Sequence, residues 1–256
     1  MLIDHLNRTV FSLSGEGVED WLSGLITNDL SEDVTFAALL TPQGKIIADF
    51  FIYKWFEGLL LDTPSKFAAD LHKRLRMYRL RAPIEIEETE LSVHAVWDDG
   101  PAGGYQDPRH ASLGRRIIST RSFKTTGDYN AHRLSLGVPE SQWDFETAKV
   151  FPADTNMDML NGVNFSKGCF VGQEVVSRMK RMTTVKKRMR GIILESAAKA
   201  GDRILSSERV IGDVLSTHGK MGMAMMRLDR LRDAEQRLTL NGDSVTVMNA
   251  VDGLDH

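Results

Sequence analysis

From Met189 onward the chain reads as short apolar runs: Arg190-Gly191-Ile192-Ile193-Leu194, Val210-Ile211-Gly212-Asp213-Val214-Leu215-Ser216, Met221-Gly222-Met223-Ala224-Met225-Met226 and Val245-Thr246-Val247-Met248. Gly, Asp, Asn and Ser separate these runs, and short strands at such regular spacing predict a small antiparallel β-barrel. Ahead of about residue 185 helical and strand periodicities mix, so the domain division is drawn there, 1–184 and 185–256. No internal repeat of about 20 to 50 residues is visible.

The first 90 residues alternate between strand and helix signals. Ser14 is placed to cap a short helix carrying Val18, Trp21, Leu22 and Leu25. Ile46 to Tyr53 and Leu59 to Leu61 read as buried strands, joined through Trp55-Phe56-Glu57-Gly58. Thr63 is expected to cap a helix with Pro64 in its first turn and an apolar stripe of Phe67, Leu71, Leu75 and Tyr78. Ile84-Glu85-Ile86-Glu87 alternates as an exposed strand does, and the turn-rich run from Asp98 to Arg109 reads as a surface loop. Asp128 caps a helix over Tyr129, His132, Leu134 and Leu136 that stops at Gly137, with Pro139 beyond it. The fold class is therefore α+β with a C-terminal antiparallel β-barrel.

A length of 256 residues, with 42% hydrophobic and 26% charged, fits a folded globular chain of two ordinary domains. The net charge of −3 argues against a surface built to coat nucleic acid. The longest apolar stretches, such as Ile46-Ile47-Ala48, fall far short of the roughly 18 residues a bilayer span requires. Met1-Leu2-Ile3-Asp4-His5 shows no secretory signal, and the default expectation is a cytoplasmic address. The single cysteine, Cys169, cannot by itself supply an iron–sulfur or structural zinc site, so a cluster role needs ligands from elsewhere. The seven histidines never occur in metal-ligand spacing, and no intrinsic metal site is expected. Phosphate-loop and GxSxG motifs are absent, which disfavours nucleotide-dependent and serine-hydrolase chemistry.

The chemistry concentrates in Asn164-Phe165-Ser166-Lys167-Gly168-Cys169-Phe170-Val171-Gly172-Gln173-Glu174, continuing through Arg178. Glycines bracket the cysteine, and beyond Gly172 the chain looks helical, with Val175, Val176 and Met179 apolar and Glu174 and Arg178 spaced as an i,i+4 ion pair. Cys169 then stands just before a helix N-terminus with Lys167 nearby, and both features favour thiolate over thiol. The plain alternative is a small buried apolar residue. The surrounding Lys, Gln and Glu, with two glycines, favour a functional thiol.

This segment resembles the signature of the YgfZ family of folate-binding iron–sulfur cluster assembly factors, relatives of the glycine-cleavage aminomethyltransferase. Further stretches that carry the resemblance are Leu25-Ile26-Thr27-Asn28-Asp29-Leu30, Leu40 through Asp49, Tyr78-Arg79-Leu80-Arg81-Ala82, Gly137-Val138-Pro139, and Phe151-Pro152 through Asn156-Met157-Asp158. It implies an aminomethyltransferase-like folate-binding domain followed by a small barrel. It also implies tetrahydrofolate or a one-carbon derivative as cofactor, and iron–sulfur assembly proteins or client iron–sulfur enzymes as partners, with an indirect effect on tRNA thiomodification.

On this resemblance Cys169 is the reactive thiol, and Asp49, Asn28, Arg81, Lys167, Gln173, Glu174 and Arg178 are the expected folate-binding residues. Asp49 matches the acid that contacts folate in aminomethyltransferases, although in an alternating strand it could instead lie on a wet face. The alternative function, a folate-dependent aminomethyltransferase or demethylase acting on a small amine, nominates Asp49 as its only base. The Arg-Leu-Glu-Ala-Gly run of the aminomethyltransferases stands here as Arg133-Leu134-Ser135-Leu136-Gly137, without the glutamate, which weakens that alternative. Two basic stretches, Arg178 to Arg190 and Lys73 to Arg81, are either solvated faces or anion-capturing surfaces for a folate tail or an acidic partner. Direct nucleic-acid binding ranks last.

Overall fold

The computed structural model describes residues 1–56, 58–98, 103–182, 185–234 and 237–248. Nine strands precede the barrel among these residues: β1 (Leu2–Leu6), β2 (Arg8–Ser14), β3 (Val34–Leu40), β4 (Ile46–Trp55), β5 (Gly58–Pro64), β6 (Glu85–Glu88), β7 (Ser92–Trp97), β8 (Tyr105–Gln106) and β9 (Arg115–Ser119). They form a five-stranded sheet ordered β3-β4-β5-β2-β6 and a four-stranded sheet ordered β1-β7-β9-β8. Helices α1 (Val18–Ser23), α2 (Ser65–Arg79), α3 (Tyr129–Ser135) and α4 (Gln173–Met182) belong to the same part of the chain. The barrel is closed by β10 (Lys187–Leu194), β11 (Arg203–Ser206), β12 (Arg209–His218), β13 (Met221–Arg227), β14 (Leu238–Leu240) and β15 (Asp243–Val247), with α5 (Leu228–Arg232) between β13 and β14.

The five-stranded sheet is buried on both faces. Along β4, Phe50 and Ile52 join the core under Leu22 of α1 and Leu71 and Leu75 of α2, while Phe51 and Tyr53 face the second core with Val93, Leu134 and Met157. Asp49 shares the side of Phe51 and Tyr53, so it has no wet face to occupy. That second core also takes in Met189 and Met223, so the barrel and the larger domain share packing.

A charged ladder runs through this core. Arg8 and Tyr53 donate to the Asp62 carboxylate, and Arg116 reaches both of its oxygens at 3.2 Å. Arg109 pairs with Asp107 and, at 2.8 Å, with Glu140, which also accepts from Tyr129 Oη at 2.9 Å. The Phe51 ring lies beneath three guanidinium groups, 5.2 Å from Arg8, 4.8 Å from Arg109 and 3.7 Å from Arg116. Ionised groups are buried tolerably only when paired in this way.

Several local expectations are corrected. Asp107 and Arg109, read as part of a surface loop, are core residues, and Tyr105–Gln106 is a strand; Asp99 to Ala102 lie outside the described residues. Ser14 ends β2, and α1 starts instead after Gly17, which is left-handed. Thr63 remains in β5 and donates to the Asp49 carbonyl, so α2 begins after Pro64 without a side-chain cap. Asp128 does cap α3, accepting from Ala131 N at 2.9 Å, and Gly137 takes a φ of 65° at its end.

Candidate functional site

Two segments distant in sequence, 26–29 and 161–167, are bonded side by side. Thr27 Oγ1 donates to Gly162 O at 2.7 Å and Asn28 Nδ2 to Asn161 O at 2.7 Å. Asn164 N donates to Thr27 O at 2.9 Å, and Asn164 Nδ2 donates to the Asp29 carboxylate. Ser31 donates to Asp29 from its hydroxyl at 2.7 Å and holds that carboxyl, with help from Asn164, below its ordinary pKa in spite of burial. Together these segments wall a cleft of about 510 Å³ lined by Asn28, Asp29, Phe36, Asn164, Phe165 and Lys180 among others. The Lys180 ammonium stands 3.7 Å from the centre of the Phe165 ring, an attractive cation–π placement.

Lys167 completes the joint. Its Nζ donates to the carbonyls of Ser23, Ile26 and Asn28 at 2.6, 2.9 and 2.8 Å, using all three of its N–H donors. Burial pushes its pKa down to about 8, opposed by the charge of Asp29. The ammonium is therefore a structural tie to the cleft wall.

Cys169 is exposed, on the loop that follows. Gly172 fixes that loop: its φ is +82°, and a Cβ there would come within 2.7 Å of Thr41 O and 3.1 Å of Gly44 Cα. Gly44, itself at φ +80°, receives Val175 of α4 in the same way. The β3–β4 turn and the cysteine segment, both parts of the resemblance, thus seat on one another. Gly168 differs, since a Cβ there would meet nothing within 4 Å. Gln173 opens α4 and donates from Nε2 to Gly168 O at 3.2 Å. Glu174 and Arg178 are exposed, and the expected ion pair between them is not among those the described residues form.

The expected folate-binding residues do not converge. Asn28 lines the cleft, while Lys167 and Gln173 hold the thiol loop by hydrogen bonds and are not among the lining residues. Arg81 is exposed in the turn beyond α2, outside the cleft lining. Asp49 is 6% exposed and accepts from Ser141 Oγ; burial raises its pKa, with Arg8 opposing. The cleft itself offers amide and carboxylate groups from Asn28, Asp29, Asn161 and Asn164, the rings of Phe36 and Phe165, and the Lys180 ammonium. Asp29, Asn161, Asn164 and Phe165 line the cleft beyond the expected folate contacts, and Lys180, from the basic stretch expected to capture an anion, lines it as well. The basic run after Arg178 is only partly a surface: Arg188 forks onto Asp158 with two bonds of 2.7 Å, and Lys187 lies 3.5 Å from Asp154.

Residues 186–250 match the model of the CAF17 C-terminal beta-barrel domain. An iron–sulfur cluster assembly factor IBA57 homolog, mitochondrial, from Neurospora crassa is 30% identical over 229 residues, covering 73% of this chain and 52% of that protein. The human iron–sulfur cluster assembly factor IBA57, mitochondrial, is 27% identical over 273 residues, covering 88% of this chain and 77% of the human protein. This chain thus spans about half the length of the first relative and about three quarters of the second. A crystal structure of the glycine cleavage system aminomethyltransferase T from Bartonella henselae superposes with a TM-score of 0.76 at 14% identity, covering 96% of this chain and 84% of that one. The relatives bear the IBA57 name in place of the YgfZ name the resemblance suggested, and as mitochondrial proteins they overturn the cytoplasmic expectation. The chain is similar in sequence to proteins named as iron–sulfur cluster assembly factors, adopts the aminomethyltransferase fold and carries a barrel that matches the CAF17 C-terminal beta-barrel model.

Proposed function

We propose that this chain is an iron–sulfur cluster assembly or repair factor that holds a folate-class ligand, tetrahydrofolate or a one-carbon derivative, and presents Cys169 to a partner. The observation that carries the reading is the exposed sulfur on a loop seated by Gly172 and tied through Lys167 to the wall of a ligand-sized cleft. One sulfur cannot complete a cluster that ordinarily takes four thiolates. Among the described residues no three His, Cys, Asp or Glu side chains gather to hold a metal, so the other ligands, or a receiving thiol, come from an assembly protein or a client enzyme. Any influence on tRNA thiomodification passes through such a client.

In the cleft Asn28, Asp29, Asn161 and Asn164 would hold the pterin edge, Phe36 and Phe165 its rings, and Lys180 the glutamate tail. When bound, folate supplies a one-carbon carrier. Residues 1–184 are the folate-binding unit in this reading, and 185–256 the barrel. The transferase or demethylase alternative needs Asp49 at the ligand, and the enclosure of that carboxyl by Ser141 gives it no support.

The test follows cluster transfer to an apo iron–sulfur enzyme by its visible absorbance, with calorimetric titration of tetrahydrofolate alongside. Cys169→Ala is expected to slow transfer at least about tenfold, equivalent to about 1.4 kcal/mol, while folate affinity stays within a few-fold. Transfer at the wild-type rate would remove the thiol from the reading, and the absence of any heat of binding would remove the folate.

A further inference from the structure

The segment bearing Cys169 is held by two side chains. The side chain of Lys167 reaches across to the carbonyls of Ser23, Ile26 and Asn28, at the end of α1 and along the cleft wall. The carbonyls of Lys167 and Gly168 in turn accept from Gln173 Nε2, at 3.4 and 3.2 Å, tying the same residues to the first turn of α4. Between these ties the flank at Gly168 is open, with nothing within 4 Å of an added Cβ, and Gly172 is clamped on Thr41. The loop therefore has a free flank and a fixed end. The Lys167 ammonium holds this free part together with Gln173, and its three acceptors all lie within residues 23–28.

The cleft wall has little freedom to shift without this ammonium. Asn28 offers its carbonyl to Lys167 while its own amide donates to Phe36 O at 3.0 Å and Asn161 O at 2.7 Å. Asp29, the next residue, is bonded by Ser31 and Asn164. A displacement of Asn28 by a bound group moves an acceptor of Lys167, and Lys167 is two residues from the sulfur.

We propose that Lys167 is a positioning residue that couples the cleft to the thiol, so that the state of the wall at Asn28 and Asp29 sets how Cys169 is presented. This coupling rests on the reading of Cys169 as the working thiol. It assigns to the ligand in the cleft a second role, as the signal that fixes the loop for a partner.

A double-mutant cycle tests it on the full chain without any ligand. Iodoacetamide alkylation of Cys169 and hydrogen exchange at the amides of 167–170 are measured in wild type, Asn28→Ala, Lys167→Met and the double variant, with thermal unfolding as the control for folding. Each single substitution is expected to change the alkylation rate by about fivefold, the size typical of residues within one hydrogen-bond network. The double variant is expected to match Lys167→Met alone. Two effects that multiply independently, or a Lys167→Met loop that alkylates and exchanges as wild type does, would overturn the proposal. If Lys167→Met does not fold, Lys167→Gln takes its place. Tetrahydrofolate titration of the same proteins reports separately on the cleft ligand, so a chain that binds no folate still passes or fails the cycle.

Discussion

At Gly172 the backbone conformation and the space around it demand the same residue. Its φ of +82° is open to glycine at no steric cost, and a methyl group would run into the carbonyl of Thr41 at 2.7 Å. Gly172→Ala is therefore expected to lose about 2 kcal/mol in urea denaturation, from backbone strain and overpacking together. A loss of less than about 0.5 kcal/mol would show that the β3–β4 turn yields easily. Glu140 supplies a second prediction. Burial alone would raise its pKa, yet the guanidinium groups of Arg109, Arg8, Arg133 and Arg116 hold it down to about 2, against 4.5 when unfolded. A carboxyl with a depressed folded value stabilises the protein above the unfolded value, and that contribution is lost as the pH falls from 4.5 toward 2. Wild-type stability should drop across this window, and Glu140→Gln should be less stable at neutral pH with a shallower acid slope. Equal slopes in the two proteins would contradict this account.

Among the elements, α3 shows how one side chain serves two purposes. Asp128 caps its first turn through Ala131 N and also accepts from His218 Nε2 of β12 at 2.7 Å. Asp128→Ala is expected to lose about 1 kcal/mol for the cap in chemical denaturation, and Asp128→Asn to recover most of it. The cap was legible because its signal is local: an Asp, a helical stripe and a terminal glycine. The starts of α1 and α2 depart from the local capping signal because a serine or threonine in the right position is already committed to a strand, Ser14 to β2 and Thr63 to β5. Sheet pairing over many residues outweighs a single capping hydrogen bond.

At the scale of the whole molecule, Met189 and Met223 of the barrel sit in the same core as Leu134, Val138 and Met157. Met189 N donates to Asp154 O, Asn156 Nδ2 donates to Met189 O at 2.9 Å, and Arg188 forks onto Asp158. With this much shared burial, calorimetric unfolding is expected as one cooperative transition, and two separable transitions would show that the barrel folds apart from the rest. The sequence by itself determined the strand-rich barrel, α3 with both of its ends, and the motif around Cys169, because periodicity, capping and glycine spacing are properties of neighbouring residues. Only the tertiary structure decided that Asp49 is enclosed, that Asp107 and Arg109 are core charges, and that Lys167 ties a thiol loop to a cleft wall. Those facts depend on which groups meet in space, from Arg109 with Glu140 31 residues apart to Lys167 with Ser23 144 apart, and a buried charge shows its role only through the partner that neutralises it.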